Sequence, residues 1–169
     1  MPKIYLVTKI NASIEVVFDL ARDIDIHQFT ASKTSEKAIA GTMSGKISLG
    51  ETVTWKGKHF GLWLTHKSRI TAMALPRHFV DEMEKGCFKS FRHEHFFEPC
   101  EGQTLMIDRL TYETPYGILG KCFDRLVLKN HLTKFLKERN AAIKSLAEKH
   151  NQREPQNRDA FGPERRVVF

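Results

Sequence analysis

Two histidines at alternate positions of one strand-like segment are the residues of this chain best spaced for chemistry. The segment Phe88–Glu98 carries Phe91, His93, His95 and Phe97 at every second position, and such positions share one face of a β-strand. Phenylalanine at both ends of the set indicates that this face points inward. Paired imidazoles inside a protein can join hydrogen-bond networks, orient a polar ligand, transfer protons or bind a metal ion.

Neighbouring segments supply acidic, hydroxyl and aromatic side chains by the same alternation. In Leu105–Glu113, Asp108 and Tyr112 share a face with Met106 and Leu110. The other side chains that alternation places on apolar faces, and that we expect to line a pocket, are Trp55, His59, His66 and Phe79. We predict that these faces together form the concave side of one sheet.

Four interpretations of this polar set stay open. The simplest is a His–Asp–Tyr network that satisfies itself, because buried polar groups need hydrogen-bond partners and a carboxylate fixes the tautomer of a neighbouring imidazole. The same groups could instead orient the polar end of a ligand. Two sharper alternatives use His93, His95 and Asp108, either for general acid–base catalysis or as ligands of zinc or iron. Because an HxH pair is a weak motif, we expect no metal or other cofactor and assign no catalytic residue.

Other catalytic and cofactor motifs are absent from the sequence. It contains no GxGxxG, GxxxxGK[ST] or GxSxG pattern, so it lacks the usual loops for dinucleotides, for triphosphates and for a serine nucleophile. Cys87, Cys100 and Cys122 show no CxxC spacing. This pattern is typical of reduced thiols and favours a cytoplasmic location.

Charge and hydropathy narrow the range of partners. The net charge is +7, and the lysines and arginines are scattered rather than clustered, so we expect a solvated basic surface and no nucleic-acid partner. No apolar run approaches the ~20 residues of a membrane-spanning helix, so we expect no integral membrane association. The partner that we expect is a small apolar ligand, bound by a monomer or a homodimer.

The hydrophobic pattern predicts one strand, two short helices, a run of strands and one long helix. Lys3–Ile10 alternates as a strand, Ser13 is a suitable cap for a helix up to Arg22, and Ile24–Phe29 predicts a second short helix. Thr30–Lys37 is polar and predicts a loop. The later strands are predicted at Glu51–Phe60, Leu62–Ala74, His78–Glu84, Phe88–Glu98 and Leu105–Glu113. Short turns join them, so we predict an antiparallel meander of about six strands in total.

The long helix is predicted over Gly117–His150. From Leu128 onward its apolar residues form one stripe, which could cover the concave face of a curled sheet. An earlier stripe that includes Leu119 and Phe123 lies roughly on the opposite side. Either the helix kinks or restarts near residues 126–129, or its first turns are apolar on both sides and also contact a ligand mouth or another subunit. Kinks are the commoner cause, and we include Leu119 and Phe123 among the expected ligand contacts.

The last residues differ in composition from the rest of the chain. We predict one ligand-binding domain over residues 1–149 and a polar tail over residues 150–169. The tail contains two prolines and ends in Val167, Val168 and Phe169. We expect the tail to be mobile and dispensable for folding.

Four short motifs add a resemblance to a known superfamily. They are W-x-G-x-H-F-G at Trp55–Gly61, H-x-S-R-I at His66–Ile70, F-V-D-x-M at Phe79–Met83 and P-x-G-x-L-G at Pro115–Gly120. Together with the order of elements, they make residues 2–149 resemble the START/Bet v 1-like (SRPBCC) superfamily, near bacterial proteins grouped with polyketide cyclases and coenzyme-Q-binding START-like proteins.

This resemblance carries expectations about fold and function. It implies an α+β helix-grip fold, in which a curved antiparallel sheet wraps around a long C-terminal helix and two short helices follow the first strand. It also implies binding, without turnover, of a lipid-, polyketide- or quinone-like molecule between the sheet and that helix. The alternative is a cyclase-, hydrolase- or isomerase-type enzyme that uses His93, His95 and Asp108 in the same cavity.

Overall fold

A seven-stranded antiparallel sheet forms the framework of the molecule. The computed structural model describes residues 1–31 and 34–158, with the backbone only for residues 153–158. The strands are β1 (Lys3–Ile10), β2 (Lys37–Gly41), β3 (Thr52–His59), β4 (Leu62–Ala74), β5 (His78–Lys85), β6 (Ser90–Cys100) and β7 (Gln103–Glu113). Their order across the sheet is β1-β7-β6-β5-β4-β3-β2. The sheet is therefore a meander whose last strand pairs with the first.

Two short helices, α1 (Ile14–Ala21) and α2 (Ile24–Thr30), follow β1. The hydroxyl of Ser13 caps α1, and the carboxylate of Asp23 caps α2 by accepting two backbone N–H bonds. Such caps satisfy N–H groups that have no partner inside the first turn of a helix. Phe18 of α1 packs edge-on against two phenylalanines of the sheet, so α1 closes one end of the core.

The C-terminal helical segment has three parts. They are α3 (Gly117–Phe123), a π-helical turn (Asp124–Leu128) and α4 (Lys129–Arg158). The π-helical turn lies where the apolar stripe changes side, so the predicted break near residues 126–129 is confirmed. A Cβ added at Gly120 would lie 1.9 Å from the carbonyl oxygen of Pro115. Glycine at this position therefore lets the first turns of α3 lie directly against residues 114–115, which join β7 to α3.

Two apolar clusters and a polar layer fill the space between the sheet and the helices. The first cluster includes Ile10, Phe18, Trp55, Phe79, Phe97, Met106 and Ile143. The second includes Ile4, Leu110, Tyr112, Leu128 and Leu136, with Leu6 and Phe91 packed against it. On β1, β6, β7 and α4 the buried or half-buried inner residues between the two clusters are polar: Thr8, His93, His95, Asp108, Arg139 and Asn140. We call these six residues the polar belt.

The α+β helix-grip architecture predicted from the sequence is confirmed. The seventh strand, β2, falls at the end of the predicted loop Thr30–Lys37, and its short sequence KAIAG carries little alternation. The helix α4 continues past the predicted end at His150 to Arg158. Val167–Phe169, the end of the tail that we expect to be mobile, lies outside the residues that the structure describes. None of the helices within the described residues is long and apolar enough to cross a bilayer.

Candidate ligand-binding site

The carboxylate of Asp108 is the centre of the polar belt. This residue is fully buried on β7, and its Oδ1 lies 2.8 Å from His93 Nε2 and 3.1 Å from His95 Nδ1. Its Oδ2 accepts a 2.6 Å hydrogen bond from Asn140 Nδ2, which also donates to Thr8 Oγ1 at 3.3 Å. The belt therefore connects β1, β6 and β7 to α4 through one buried carboxylate.

Burial and close partners act in opposite directions on the pKa values of this group. Burial tends to raise the pKa of Asp108, but the contacts with His93 and His95 hold it well below its ordinary value. Burial lowers the pKa of His95 to about 3, and repulsion from His93 adds to this effect while Asp108 opposes it. His95 is therefore a neutral imidazole near neutral pH, where it cannot act as a general acid.

The same three side chains could hold a metal ion. One potential ligand atom from each of His93, His95 and Asp108 lies within 4.8 Å of the others, and all three residues are buried. Two imidazoles and one carboxylate are a donor set suited to zinc or iron. His93 already has Asp108 as its hydrogen-bond partner, so this group is suited to a metal without requiring one.

A second group of charged and polar side chains surrounds Glu36, immediately before β2. The Glu36 carboxylate lies 2.7 Å from His27 Nε2 and 3.2 Å from His59 Nε2. Nδ1 of His59 lies 3.1 Å from Nε2 of His131 in α4. The ring of His27 also stacks on Trp55, with centroids 4.1 Å apart. We call Glu36, His27, His59 and His131 the Glu36 cluster; it ties α2, β3 and α4 together.

Three alternate residues of β3 explain how the W-x-G-x-H motif builds this cluster. Trp55 supplies the stacking surface and His59 the hydrogen bond. Gly57 supplies the space, because a Cβ there would lie 2.6 Å from Glu36 Cγ. Burial tends to raise the pKa of Glu36, but the hydrogen bonds from His27 and His59 lower it to about 2. Each position of the motif thus has a physical role at the carboxylate.

Arg139 brings a buried cation into the polar belt. The residue is 5% exposed, and its Nη2 donates to the carbonyl oxygen of Ala21, at the end of α1, at 2.7 Å. Its Nε and Nη1 are buried and have no hydrogen-bond partner among the described residues, and the same holds for Ser68 Oγ, Asp81 Oδ1 and Asn140 Oδ1. Burial lowers the pKa of Arg139, and nearby carboxylates oppose this lowering. The interior therefore offers both N–H donors and oxygen acceptors that the described chain leaves unused.

Tyr112 connects the sheet to the π-helical turn rather than to the histidines. Its hydroxyl donates to Oδ1 of Asp124 at 2.5 Å, and its ring lies in the second apolar cluster. Burial raises the pKa of Tyr112, and the hydrogen bond to Asp124 raises it further. Of the network considered from the sequence, the hydrogen bond between His93 and Asp108 forms, His95 Nδ1 lies near Asp108 without a hydrogen bond among the described residues, and Tyr112 has a separate partner.

Most of the residues predicted to line a pocket lie on the inner face of the sheet. Buried there are Trp55, Phe79, His93, His95, Phe97, Asp108 and Tyr112, and half-buried are His59, His66 and Phe91. Leu119 and Phe123 do not join them, because their side chains are 78% and 44% exposed on α3. The earlier stripe of the helical segment therefore faces the surface. The inner-face residues belong to the polar belt, the Glu36 cluster or the two apolar clusters, except His66, whose ring packs edge-on against Phe91.

Several polar residues of the interior were not predicted from the sequence. Among them are His27, Glu36, His131, Arg139 and Asn140. Asn140 lies four residues after Leu136 and three before Ile143, so a polar interruption of the apolar helix stripe was the available signal. No comparable signal marks Glu36, which lies in a segment without periodicity.

A separate concave region lies between α2, β2 and α4. It is an open cleft of about 820 Å³. Its lining residues are Asp25, Gln28, Phe29, Thr30, Lys37, Glu138, Ala141 and Ala142. None of the residues predicted to bind ligand lines this cleft.

Comparison with solved structures identifies the fold. A protein from Thermus thermophilus superposes with a TM-score of 0.65 and 19% identity, over 86% of this chain and 99% of that one. Major latex-like protein 151 from Panax ginseng gives a TM-score of 0.64 and 16% identity, over 86% of this chain and 97% of its own. A START superfamily protein from Mycobacterium smegmatis gives 0.65 and 14%, over 87% and 97%.

These likenesses define the class of fold. The chain has the START/Bet v 1-like helix-grip fold, and the resemblance that its motifs indicated is confirmed at this level. No family model matches the sequence, and no curated protein matches it significantly. Because one fold hosts many activities, function has to be argued from the residues of the interior.

Proposed function

We propose that this protein binds or carries a small, largely apolar molecule between the sheet and α4, without chemical turnover. The observation that carries this proposal is the buried guanidinium of Arg139, two of whose nitrogens, Nε and Nη1, have no hydrogen-bond partner among the described residues and lie between two apolar clusters. Native interiors rarely leave such groups unsatisfied. The polar end of a ligand would satisfy them while its apolar body contacts the walls.

The surrounding groups suggest the chemistry of that ligand. Aromatic side chains of the first cluster, Trp55, Phe79 and Phe97 among them, would contribute about 25 cal/mol per Å² of apolar surface buried. The N–H groups of Arg139 would donate to a carbonyl or carboxylate oxygen, and Asp81 Oδ1 would accept from a hydroxyl group. A lipid-, polyketide- or quinone-like molecule combines these features. We keep the inner-face residues named above as proposed contacts.

An enzyme that uses His93, His95 and Asp108 receives less support. His93 Nε2 is hydrogen-bonded to the Asp108 carboxylate, and the pKa of His95 is about 3. A general acid or base works best with a pKa near the operating pH and with the proton-carrying atom free to reach substrate. The arrangement suits a structural or ligand-orienting role better than proton transfer.

The cellular setting that we propose is the cytoplasm. Cys87, Cys100 and Cys122 are all free thiols, and reduced cysteines suit that compartment. We propose that the ligand-binding unit is a monomer or a homodimer.

The experiment compares two displacing compounds that share a ring system. A fluorescent apolar dye, 1-anilinonaphthalene-8-sulfonate, is bound to the protein and displaced either by 2-methyl-1,4-naphthoquinone or by 2-methylnaphthalene, which lacks the two carbonyl oxygens. Arg139→Met keeps the length of the side chain and removes its donors. We expect this variant to weaken displacement by the quinone about tenfold, the effect of one hydrogen bond, and to leave displacement by the hydrocarbon unchanged.

Two further variants keep the test interpretable. Ser68→Ala removes a buried hydroxyl group that has no hydrogen-bond partner in the described part of the chain, so the fold should be unaffected while quinone affinity falls. Arg92→Met is the matched control, since this arginine is exposed on the outer face of β6. The proposal is wrong if the quinone and the hydrocarbon displace the dye from Arg139→Met and Ser68→Ala as they do from the wild type. It is also wrong if the dye does not bind. Native mass spectrometry of the purified protein checks independently for a retained organic molecule or metal.

A further inference from the structure

An exposed apolar surface lies where α3 meets the turn of the β3–β4 hairpin. Its side chains are Phe60, Leu62, Ile118, Leu119, Phe123 and Leu126, and we call them the apolar patch. They are between 44% and 79% exposed. Single exposed apolar residues are ordinary, but a contiguous group of them marks an interaction site.

Aromatic contacts make the apolar patch one surface built from two elements. The ring of Phe60, in the hairpin turn, lies 5.4 Å from that of Phe123 at the end of α3 and 4.5 Å from that of His131 in α4. Trp63 is exposed on the other face of the same hairpin, with the ammonium group of Lys56 over its ring. The patch is therefore anchored to the sheet on one side and to the helical segment on the other.

The charges around the apolar patch are almost all of one sign. The exposed basic residues of the helical segment beside it include Lys121, Arg125 and Lys129. Residues 54–65 and 117–137 contain a single acidic residue, Asp124. That residue is buried and holds the hydroxyl of Tyr112, so it does not offset the basic side chains at the surface.

We propose that this face docks onto an anionic lipid surface. Lysine and arginine near such a surface are attracted to acidic headgroups, while leucine, isoleucine and phenylalanine enter the boundary of the acyl chains. A second copy of this chain fits the face less well, because two-fold pairing would bring one basic rim against another. The docking is peripheral and involves the outside of α3. It does not depend on whether the interior binds a ligand.

The test is co-sedimentation with large unilamellar vesicles, made either of phosphatidylcholine alone or of phosphatidylcholine mixed with phosphatidylglycerol. We expect the wild type to bind the mixed vesicles and to bind the neutral ones much more weakly. The double variant Leu119→Ser/Phe123→Ser should lower the partition coefficient on mixed vesicles about tenfold or more, because two apolar anchors are lost. Arg125→Glu should also lower it, and this effect should shrink as salt is raised.

Matched controls come from the opposite end of the sheet. Leu75 is 65% exposed in the turn between β4 and β5, and Lys9 is exposed on β1. Leu75→Ser and Lys9→Glu should leave binding within about twofold. Circular dichroism of each variant checks that it is folded.

Three results overturn the proposal. The first is equal binding of the wild type to the two kinds of vesicle. The second is that both patch variants bind the mixed vesicles as the wild type does, or lose no more binding than the controls lose. The third is a dimer, seen by light scattering, that Leu119→Ser/Phe123→Ser converts to a monomer, because the face would then belong to a second copy.

Discussion

The polar belt places polar side chains in the interior, whereas the apolar patch places apolar side chains at the surface. Asp108, Arg139 and Asn140 are charged or polar and at most 5% exposed, whereas Leu119 and Leu126 are apolar and more than 70% exposed. Buried polar groups and exposed apolar groups are the informative exceptions in a folded protein. The C-terminal helical segment contributes to both, because Arg139 and Asn140 lie on α4 while Leu119 and Leu126 lie on α3 and the π-helical turn.

The two regions differ in whether their side chains find partners within the chain. Most polar belt groups find partners inside the chain, as the contacts of Asp108 with His93 and Asn140 show. The apolar patch is covered by no described part of the chain. A change in the belt should therefore reduce the free energy of unfolding, and a change in the patch should alter only interactions with other molecules. The predictions below test this contrast.

The largest effect is expected for Asp108→Ala. The variant leaves His93 and Asn140 buried without their carboxylate partner, which should cost about 3–5 kcal/mol of the free energy of unfolding. Urea unfolding measures this loss. Glu98→Ala, on the exposed side of β6, is the matched control and should stay within about 0.5 kcal/mol. A loss below about 1 kcal/mol for Asp108→Ala would show that the belt is not the compensated network described above.

A smaller effect is expected for Tyr112→Phe, which cuts the link between the sheet and the π-helical turn. The variant keeps the buried ring and removes only the hydroxyl that donates to Asp124. A hydrogen bond to a charged group contributes about 1.5–3 kcal/mol, and thermal unfolding should show a loss in this range. Tyr116→Phe is the control, because Tyr116 is 83% exposed. Equal unfolding temperatures for the two variants would contradict a structural role of the Tyr112–Asp124 bond.

A loss of stability of similar size, seen only at acid pH, is expected from protonation of Glu36. Its pKa is about 2 in the folded protein against an ordinary value of 4.5, so the ionised form stabilises the fold above pH 4.5 and this contribution disappears as pH falls toward 2. The loss between pH 5 and pH 3 should be about 2 kcal/mol. Glu36→Gln should remove that part of the slope in urea unfolding measured at several pH values. An unchanged slope in the variant would mean that other groups set the acid sensitivity.

The smallest effect on stability is expected in the apolar patch. Leu119→Ser should change the free energy of unfolding by less than about 0.5 kcal/mol, because the side chain is already in water. Ile143→Ala makes the contrast, since Ile143 is completely buried on α4 and its truncation should cost about 2–5 kcal/mol. Differential scanning calorimetry of these two variants compares α3 with α4 directly. A large loss in Leu119→Ser would show that α3 packs its stripe inward.

The sequence predicted the elements that have strong periodicity. Alternation in β6 and β7 placed His93, His95 and Asp108 on one inner face, and the stripe of α4 placed Leu136 and Ile143 in the core. These predictions succeed because period two and period 3.6 decide which side chains share a face. The break in the helical segment was visible for the same reason, as a change of phase.

What the sequence could not predict depends on contacts between distant segments. Glu36 acquires its role only because β3 brings Gly57 and His59 to it. Leu119 and Phe123 were expected among the ligand contacts, and the structure places both at the surface. Periodicity identified that stripe but gave no information on which side of the molecule it faces.

The π-helical turn at Asp124–Leu128 has a consequence for how this chain tolerates changes in length. A π-helical turn holds about one residue more than the α-helical turn it replaces, and an α-helix rotates by about 100° per residue. Deletion of one residue within the turn would restore continuous α-helical winding and leave the stripe of α3 on its present side, because the turn already absorbs one extra residue. The same deletion inside α4 would rotate the preceding part of the segment by about 100°. The turn is therefore the place in the helical segment where the loss of a single codon should be tolerated best.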